Sequence, residues 1–449
     1  MRYLALTLII IAGLVLRVDH AWQGAAENLP DSAAYERIAR GLHERSEFEQ
    51  VGPGTPAHPQ PASNYSPGLP LLAGGIFEVA GDDVRLVRLL LALIGTLAVP
   101  LTYLIAVRLC PFPPESVWPA AAGLTAAAIC AFYPTLISYS EMLLTEPLAG
   151  TLIAGGVLAM LRARDQERMA AWLGVGLLLG MATMVRPEYL LVFGLVAATL
   201  IVVEHRGGVG HAVAPVAVML LGLCLVIAPW TIRNVAEYGR LVPLSTGGGQ
   251  TLYSGSYLPS GGNPTKVLPD LLERQPAIRA EIEKQNLLSG EGPESVTPER
   301  AFALVAARTL PRLNADEALS RLGQERYKNE LRENPAGLAA FLGHKVLRIW
   351  WRGRSDLMQH FAGPLAHRLI IVAALAGLAL LAFRKRPEFW ILATVLVSVT
   401  LIGTILVATP RRALVLWPLI SALAGIGMAG ALALARGWLQ RRSNPGAIA

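Results

Sequence analysis

The sequence predicts an all-α integral membrane protein. The chain has 449 residues, of which 53% are hydrophobic and only 16% are charged, whereas soluble proteins carry about 25% charged residues. So few charges do not cover a water-facing surface of this size, which excludes soluble enzyme folds for most of the chain. The 43 glycines and 31 prolines follow no repeat, so a fibrous or low-complexity protein is excluded as well.

Charge and cysteine content narrow the class further. The net charge of +7 arises from Lys and Arg beside apolar segments, as expected of orientation signals and lipid contacts. No basic stripe with interleaved aromatic residues occurs, so nucleic acid is not an expected partner. Cys110, Cys130 and Cys224 lie in or beside apolar runs, which argues against a disulfide framework or a cysteine metal site.

About ten runs lack Asp, Glu, Lys and Arg, and each approaches the roughly 20 residues that a helix needs to cross a bilayer. Arginines at the ends of the shorter runs, such as Arg17, Arg162 and Arg384, are expected to snorkel to the membrane surface. The first run is alternatively a signal peptide. The predicted spans are at about 3–16, 89–107, 117–140, 147–161, 169–185, 189–203, 212–232, 369–383, 389–410 and 413–435.

The distribution of basic residues predicts which side each loop faces, because Lys and Arg concentrate in short cytoplasmic loops. With the N-terminus inside, the short outer loops hold Arg186, Arg411 and Arg412. The inner ends hold twelve basic residues: Arg2, Arg108, Arg162, Arg164, Arg168, Arg206, Arg384, Lys385, Arg386, Arg436, Arg441 and Arg442. Both termini are therefore predicted to be cytoplasmic, in a multi-pass protein of the cytoplasmic (inner) membrane.

This topology divides the chain into three parts. Residues 1–232 form an N-terminal transmembrane module that includes a first outer loop, 17–88. Residues 233–368 form an extracytoplasmic cap, and residues 369–449 form the C-terminal transmembrane helices and a cytoplasmic tail. The two long polar segments, 17–88 and 233–368, therefore face outward.

The first outer loop begins with an amphipathic helix. Pro30 opens a helix-forming run, and Asp31, Tyr35, Ile38 and Leu42 recur at spacings that place them on one helical face. An acid at the head of an apolar stripe is a candidate for site chemistry. The alternative is that Asp31 only caps the helix N-terminus.

The rest of this loop is rich in turn residues. Prolines between Gly52 and Pro70 prevent a regular helix, and the apolar run that follows ends near Val79, too early to span a membrane. Asp82 and Asp83 come next; they either bind a divalent cation or cap the following helix.

Two acidic residues stand alone at a predicted membrane boundary. Glu141 and Glu146 are the only charged residues between Glu115 and Arg162. Acids at such a depth without a nearby base need a partner and mark functional sites. The alternative is that both are solvated loop carboxylates.

Four arginines are predicted at the outer interface, where the positive-inside rule gives no reason for them. Guanidinium groups there suit an anionic ligand such as a lipid phosphate, which they bind bidentately. The alternatives are phospholipid headgroup contacts or pairing with Glu141, Glu146 and Glu188. The four are Arg186, Arg233, Arg411 and Arg412.

Seven short motifs carry a family resemblance and run through most of the chain: Pro30-Asp31-Ser32-Ala33-Ala34-Tyr35, Tyr65-Ser66-Pro67-Gly68-Leu69-Pro70, Thr145-Glu146-Pro147, Val185-Arg186-Pro187-Glu188, Pro229-Trp230-Thr231-Ile232-Arg233-Asn234, Glu333-Asn334-Pro335 and Pro410-Arg411-Arg412. Together they resemble the membrane glycosyltransferases of the GT-C fold, in the superfamily of protein O-mannosyltransferases and aminoarabinose lipid A transferases. The resemblance is greatest to the broad bacterial branch of that superfamily.

The resemblance implies a GT-C fold with about ten transmembrane helices, outward-facing amphipathic helices and a small cap. It implies a hexosyl or pentosyl transferase whose partners are a polyprenyl-phosphate-linked sugar, membrane lipids and an acceptor glycan, lipid or protein. Asp31 falls where the family keeps its catalytic aspartate, and Glu141 and Glu146 fall in its second acidic motif. The predicted substrate-binding residues are Tyr35, Tyr65, Pro67, Glu141, Glu146, Arg186, Arg233, Arg411 and Arg412.

The chemistry of these residue types agrees with that implication. Arginines would neutralise the charge that develops on the departing lipid phosphate. Asp31 would remove the proton from the acceptor hydroxyl, an assistance worth about 10²–10⁴-fold. One carboxylate opposite the leaving group predicts inversion at the anomeric carbon.

The sequence departs from the aminoarabinose transferases at one motif, and two alternative functions remain open. Tyr65 and Ser66 stand where the aminoarabinose transferases carry an acidic and a basic residue. A metal bound as in that subgroup and a lipid A acceptor are therefore less expected, although a divalent cation stays a candidate cofactor. The alternatives are a transporter or flippase for a lipid-linked sugar, and a polymer ligase with a lipid-diphosphate donor. Nearly charge-free spans favour interfacial chemistry over transport.

Overall fold

The computed structural model describes residues 1–25, 29–48, 65–166, 168–204, 209–261, 263–289, 298–353, 355–360 and 362–443, which form helices and no strand. The N-terminal module contains α1 (Arg2–Gln23), α2 (Pro30–Arg45), α3 (Gly68–Ala80), α4 (Val84–Leu109), α5 (Val117–Phe132), α6 (Pro134–Ser138), α7 (Thr145–Gln166), α8 (Met169–Val185), α9 (Tyr189–Glu204) and α10 (Val209–Tyr238).

Eleven further helices follow in the described part of the chain. The middle segment contains α11 (Gly248–Gly255), α12 (Val267–Arg274), α13 (Pro276–Ser289), α14 (Pro298–Thr309), α15 (Ala315–Glu333) and α16 (Pro335–Trp350). The C-terminal part contains α17 (Asp356–Gln359), α18 (Gly363–Phe383), α19 (Glu388–Ile405), α20 (Pro410–Val415) and α21 (Trp417–Ser443). The predicted all-α class is therefore confirmed.

The structure describes a multi-pass membrane protein. Among the described residues, six helices are long and apolar enough to cross a membrane: α1, α4, α10, α18, α19 and α21. A seventh span results if α5 and α6, which meet at an angle of 49°, are counted together. The predicted number of ten is not confirmed, since α3, α8 and α9 are apolar but shorter. Helix α3 agrees with the prediction of a short apolar segment ending near Val79.

Small residues let the membrane helices approach closely. A Cβ atom on Gly377 of α18 would lie 2.0 Å from the Leu423 carbonyl oxygen of α21. A Cβ on Gly427 of α21 would lie 2.0 Å from the Ala373 oxygen of α18. Such close backbone packing replaces the hydrophobic driving force that helices lack in lipid.

Arg17 corrects one expectation. Its side chain is 2% exposed and does not snorkel. The guanidinium donates to the carbonyl oxygens of Cys130 and Ala131, each at 2.9 Å. The break between α5 and α6 explains the burial, because Pro134 has no N–H to donate to the Cys130 carbonyl four residues earlier. Arg17 supplies the missing donor.

The predicted spans 389–410 and 413–435 also differ from the structure in detail. Helix α19 ends at Ile405, before the predicted boundary at residue 410. Arg411 and Arg412 lie in the short helix α20, and α21 begins at Trp417. Pro410 prevents the helix from continuing, since its ring would clash with the Leu406 carbonyl four residues earlier and it has no N–H to donate to that carbonyl.

The middle helices have an apolar core of their own. Tyr253, Leu271, Ile282, Phe302 and Leu319 are buried together in a cluster separate from the transmembrane core. This cluster lies inside the segment predicted as a cap, 233–368.

At one end of the bundle, basic residues pair across helices. Arg108 of α4 contacts Asp165 of α7, and Arg164 of α7 lies 3.7 Å from Glu388 of α19. These residues belong to the ends predicted to be cytoplasmic.

Candidate functional site

Asp31 lies in the first turn of α2, and its side chain makes no capping hydrogen bond there. Instead its carboxylate Oδ2 accepts a hydrogen bond from Nη1 of Arg411 at 2.5 Å. The next residue fixes the start of the helix, because the Ser32 hydroxyl accepts from the Leu143 backbone N–H at 3.0 Å. The helix-capping interpretation of Asp31 is therefore not what the structure has.

Glu146 connects two arginines in the interior. Its side chain is 0% exposed, and its Oε1 accepts from Nε of Arg411 at 2.6 Å and from Nη2 of Arg186 at 3.3 Å. Two guanidiniums hold this carboxylate ionised in spite of burial. The alternative of a solvated Glu146 is excluded.

Glu188 extends the same row of charges. Its Oε1 accepts from Nη1 of Arg186 at 3.3 Å and from Nη1 of Arg412 at 3.2 Å. Pairing with Glu146 and Glu188, left open by the sequence, is thus what the structure shows for three of the four arginines. We call this row the arginine–carboxylate chain; in spatial order it contains Asp31, Arg411, Glu146, Arg186, Glu188 and Arg412.

The charges of the arginine–carboxylate chain balance, since it contains three carboxylates and three guanidiniums. Removing one of its buried members, such as Glu146, leaves an uncompensated charge and costs about 3–5 kcal/mol, whereas removing a partly exposed charge costs less. The members differ in exposure: the side chain of Asp31 is 43% exposed, whereas those of Arg411 and Glu146 are 14% and 0% exposed. Asp31 is therefore the most accessible member of the arginine–carboxylate chain.

The Tyr65-to-Gly68 motif fixes the backbone that precedes Arg186. The Ser66 hydroxyl donates to the Val185 carbonyl at 2.6 Å. A Cβ on Gly68 would lie 2.8 Å from the Val185 nitrogen, so only glycine allows this approach. Pro67 directly precedes α3.

Gly68→Ala should therefore destabilise the protein by about 1–3 kcal/mol, because the added methyl group meets backbone atoms that have no room to move. Gly75 lies on the same helix with nothing within 4 Å of its Cβ position, so Gly75→Ala should be neutral or stabilising by up to about 1 kcal/mol. Thermal unfolding of both detergent-solubilised variants measures the difference. Equal melting temperatures would contradict this role of Gly68.

Tyr35 closes the apolar side of the site. It is 8% exposed, and its ring packs edge-on against Tyr65 with centroids 5.3 Å apart. Burial, and then the negative charge of Asp31, raise the pKa of the Tyr35 hydroxyl. The hydroxyl is therefore a neutral hydrogen-bonding group beside the arginine–carboxylate chain.

Two predicted site residues lie elsewhere. Glu141 contacts the His20 imidazole of α1. Arg233 lies over the Trp230 ring, 5.2 Å from its centroid, and donates to Asn234 Oδ1 at 3.2 Å. No described contact joins Glu141 or Arg233 to the arginine–carboxylate chain.

The paired acids after α3 have structural partners. Asp83 caps α4 by accepting from the Arg85 N–H at 2.8 Å, and Asp82 contacts Arg40. Among the described residues, no three His, Cys, Asp or Glu side chains gather as a metal site.

Sequence reasoning placed Glu188 only among alternative partners, although it joins two arginines. The sequence feature that could have indicated this role is the Arg186-Pro187-Glu188 turn, which places opposite charges on one short connection between helices.

Two small cavities adjoin the arginine–carboxylate chain. One of about 10 Å³ is lined by Arg186, Glu188, Tyr189 and Arg412, together with apolar residues. Buried atoms beside it, Nε of Arg186 and the Tyr189 hydroxyl, have no hydrogen-bond partner among the described residues. The other, about 20 Å³, lies between Arg17 and Glu146. Each has room for about one water molecule, so neither cavity by itself holds a phosphate or a sugar.

Part of the chain matches a known family. The family model described as dolichyl-phosphate-mannose-protein mannosyltransferase matches residues 58–232. This match contains Glu146, Arg186 and Glu188, whereas Asp31 and Arg411 lie outside it. Among curated proteins, no relative matches the sequence.

Solved structures show the fold. The apo oligosaccharyltransferase of Archaeoglobus fulgidus aligns with a TM-score of 0.58 and 14% identity, over 98% of this chain and 52% of that one. The oligosaccharyltransferase AglB of the same organism, in complex with an inhibitory peptide and a dolichol-phosphate, gives 0.56 and 15%, over 100% and 52%. ArnT from Cupriavidus metallidurans, bound to undecaprenyl phosphate, gives 0.40 and 16%, over 94% and 77%.

The chain therefore has the GT-C fold of membrane glycosyltransferases, as its motifs predicted. It spans about half the length of the oligosaccharyltransferases that it matches. At 14–15% identity the likeness concerns the fold, and function is argued from the site.

Proposed function

We propose that the protein is an inverting glycosyltransferase that moves a sugar from a polyprenyl-phosphate donor to an acceptor hydroxyl. The reaction takes place at the outer face of the cytoplasmic membrane. The observation that carries this proposal is the contact of Asp31, an accessible carboxylate, with Arg411 at the head of three linked guanidiniums. A base and an anion-binding group thus meet at one place.

Charge balance supports a phosphate as the ligand. Because carboxylates already pair with the three arginines, an incoming phosphate reaches Nη1 of Arg411 only by displacing the carboxylate of Asp31. Asp31 is the most exposed carboxylate of the arginine–carboxylate chain, and it contacts Arg411 through a single nitrogen, Nη1. Glu146 holds the Nε of Arg411 and is fully buried. Asp31 is therefore the carboxylate that the phosphate displaces from Arg411.

This exchange prepares both halves of the reaction. Transfer of the Arg411 Nη1 contact from Asp31 to the phosphate frees the carboxylate to accept the proton of the acceptor hydroxyl. The acceptor oxygen then forms a bond to the anomeric carbon while the carbon–oxygen bond to the phosphate breaks. Arg411, Arg186 and Arg412 stabilise the charge left on the lipid phosphate.

The family match and the fold support the donor class. The matched family is described by a dolichyl-phosphate donor, and AglB was solved with a dolichol-phosphate bound. A membrane-anchored donor also suits the outer face, where soluble nucleotide sugars are absent. Of the remaining predicted substrate-binding residues, Tyr35 and Tyr65 pack together on the apolar side of the site, and Pro67 directly precedes α3. Glu141 and Arg233, which lie apart from the arginine–carboxylate chain, are not needed by this mechanism.

A donor comparison tests the proposal. The full-length protein in proteoliposomes is given radiolabelled sugar on a polyprenyl monophosphate or glycan on a polyprenyl diphosphate, together with membrane extracts as acceptors. We expect label to enter the acceptor only from the monophosphate donor. Transfer only from the diphosphate would establish the ligase alternative, and movement of lipid-linked sugar across the bilayer without transfer would establish the flippase alternative.

A further inference from the structure

A buried lysine joins the middle helices to the loop that carries two of the arginines. Lys345 of α16 is 0% exposed, and within the described residues it forms no ion pair with a carboxylate. Its Nζ donates to the carbonyl oxygens of Gly255 and Leu406, each at 2.7 Å, and to the Tyr327 hydroxyl at 3.1 Å. An ammonium without a carboxylate partner is rarely buried, so these contacts need a reason.

The positions of the two carbonyls supply that reason. Gly255 is the last residue of α11, and Leu406 directly follows α19. Carbonyl groups at helix C-termini lack intrahelical donors and carry the negative end of the helix dipole. Lys345 therefore serves two helix ends at once. Tyr327 adds to this, since its hydroxyl lies 2.9 Å from the Gly255 oxygen and 2.7 Å from the Ile405 oxygen.

The packing at this junction is direct. A Cβ on Gly255 would lie 2.2 Å from the Leu406 carbonyl oxygen, so α11 touches the loop 406–409 through its backbone. We call the contacts of Lys345, Tyr327 and Gly255 with residues 405 and 406 the loop clamp.

The loop clamp lies next to Arg412. Nε of Arg412 donates to the Val407 carbonyl at 2.8 Å, one residue after the Leu406 carbonyl that Lys345 holds. Helix α16 and Arg412 also pack against the same residue, Gly403 of α19. A Cβ on Gly403 would lie 2.9 Å from Arg412 Cδ and 2.8 Å from Ile349 Cδ1, so all three pack together, and Ile349 is one helical turn beyond Lys345.

We infer that Lys345 is a positioning residue, which holds the loop 406–409 so that Arg411 and Arg412 of α20 are placed for the donor phosphate. The inference rests on the proposed function and adds to it a residue outside the arginine–carboxylate chain. It makes the middle helices part of the anion site, although none of their side chains belongs to that chain.

Protonation does not test this role. Burial, and to a smaller extent the charges of Arg412 and Arg348, lower the pKa of Lys345 to about 7. A neutral amine keeps two N–H groups, which are enough for two carbonyl oxygens. The loop clamp therefore persists on both sides of this pKa, and substitution is the informative change.

The experiment measures lipid binding by the full-length protein in detergent, with undecaprenyl phosphate and undecaprenol as probes. Lys345→Met keeps the length of the side chain and removes its donors. We expect its dissociation constant for undecaprenyl phosphate to rise about tenfold, since small displacements of binding groups have large effects. Binding of undecaprenol, which lacks the phosphate, should not change. Lys328→Met on the exposed face of α15 should change neither.

One further variant keeps the inference testable if Lys345→Met does not fold. Tyr327→Phe removes one hydroxyl from the loop clamp and should weaken phosphate-lipid binding about threefold, the effect of one hydrogen bond. Where Lys345→Met does fold, its combination with Arg412→Lys should lose much less than the sum of the two single changes, because both act through one loop.

Unchanged phosphate-lipid binding in Lys345→Met and Tyr327→Phe would overturn this inference alone. Equal losses for the phosphate and the alcohol would also overturn it, since they indicate a general structural role. Wild-type protein that does not distinguish the two lipids would overturn the proposed function, and this inference with it.

Discussion

Asp31→Asn should abolish sugar transfer, with a loss of about 10²–10⁴-fold, while the protein still folds and binds the donor lipid. The amide keeps the shape of the side chain but no longer accepts the proton of the acceptor hydroxyl. Loss of the contact with Arg411 should cost little stability, less than about 1 kcal/mol, because Asp31 is partly exposed to solvent.

Donor binding gives the second measurement for this variant. If Asp31 competes with the phosphate for Arg411, removing its charge should leave the affinity for undecaprenyl phosphate equal or tighter than in the wild type. Asp19→Asn is the matched control, because Asp19 is exposed on α1 and pairs only with Gln23 in the described structure. Near-normal transfer by Asp31→Asn would remove Asp31 from the role of base.

Arg411→Lys should lower the transfer rate by about 10²–10³-fold, the typical loss when one group that stabilises a developing negative charge is removed. Arg411 reaches Asp31 with Nη1 and Glu146 with Nε. A lysine ammonium keeps the charge that compensates buried Glu146 but is a single point that does not span both positions. We therefore expect a folded protein with a raised Michaelis constant for the donor.

Steady-state transfer at several donor concentrations measures this effect. The control is Arg279→Lys, since the Arg279 side chain is 63% exposed and pairs with Glu283 on the surface of α13. A rate and Michaelis constant for Arg411→Lys within about threefold of the control would show that transfer does not depend on the arginine fork.

The features that the sequence predicted correctly are local in origin. Apolar runs depend on composition, and the amphipathic face of α2 depends on a period of a few residues, so both are visible without coordinates. The helix start at Pro30 and the cap at Asp83 follow from the same short-range rules. Ordered motifs along the chain indicated the GT-C fold.

Features that depend on contacts between distant segments were less accurately predicted. Arg17 was expected at the membrane surface, yet it lies inside because the Cys130 carbonyl, more than 110 residues away, lacks a donor. Ten spans were expected from charge-free runs, but a run does not reveal whether its helix is long enough or bent at a proline. The contacts of Lys345 could not be predicted either, since its main partners are backbone carbonyls of distant segments.

By itself, the sequence determined that this is a helical membrane protein and which charged residues stand in unusual places. Only the tertiary structure decided which of them belong together. Asp31 and Arg411 are 380 residues apart in the sequence, yet their side chains are in contact. Arg411 also binds Glu146, whereas Glu141, the acid nearest to Glu146 in the sequence, lies apart from both. The physical reason is that a buried charge needs an opposite charge in contact, and the packing of α2, α7, α8 and α20 alone sets which charges meet.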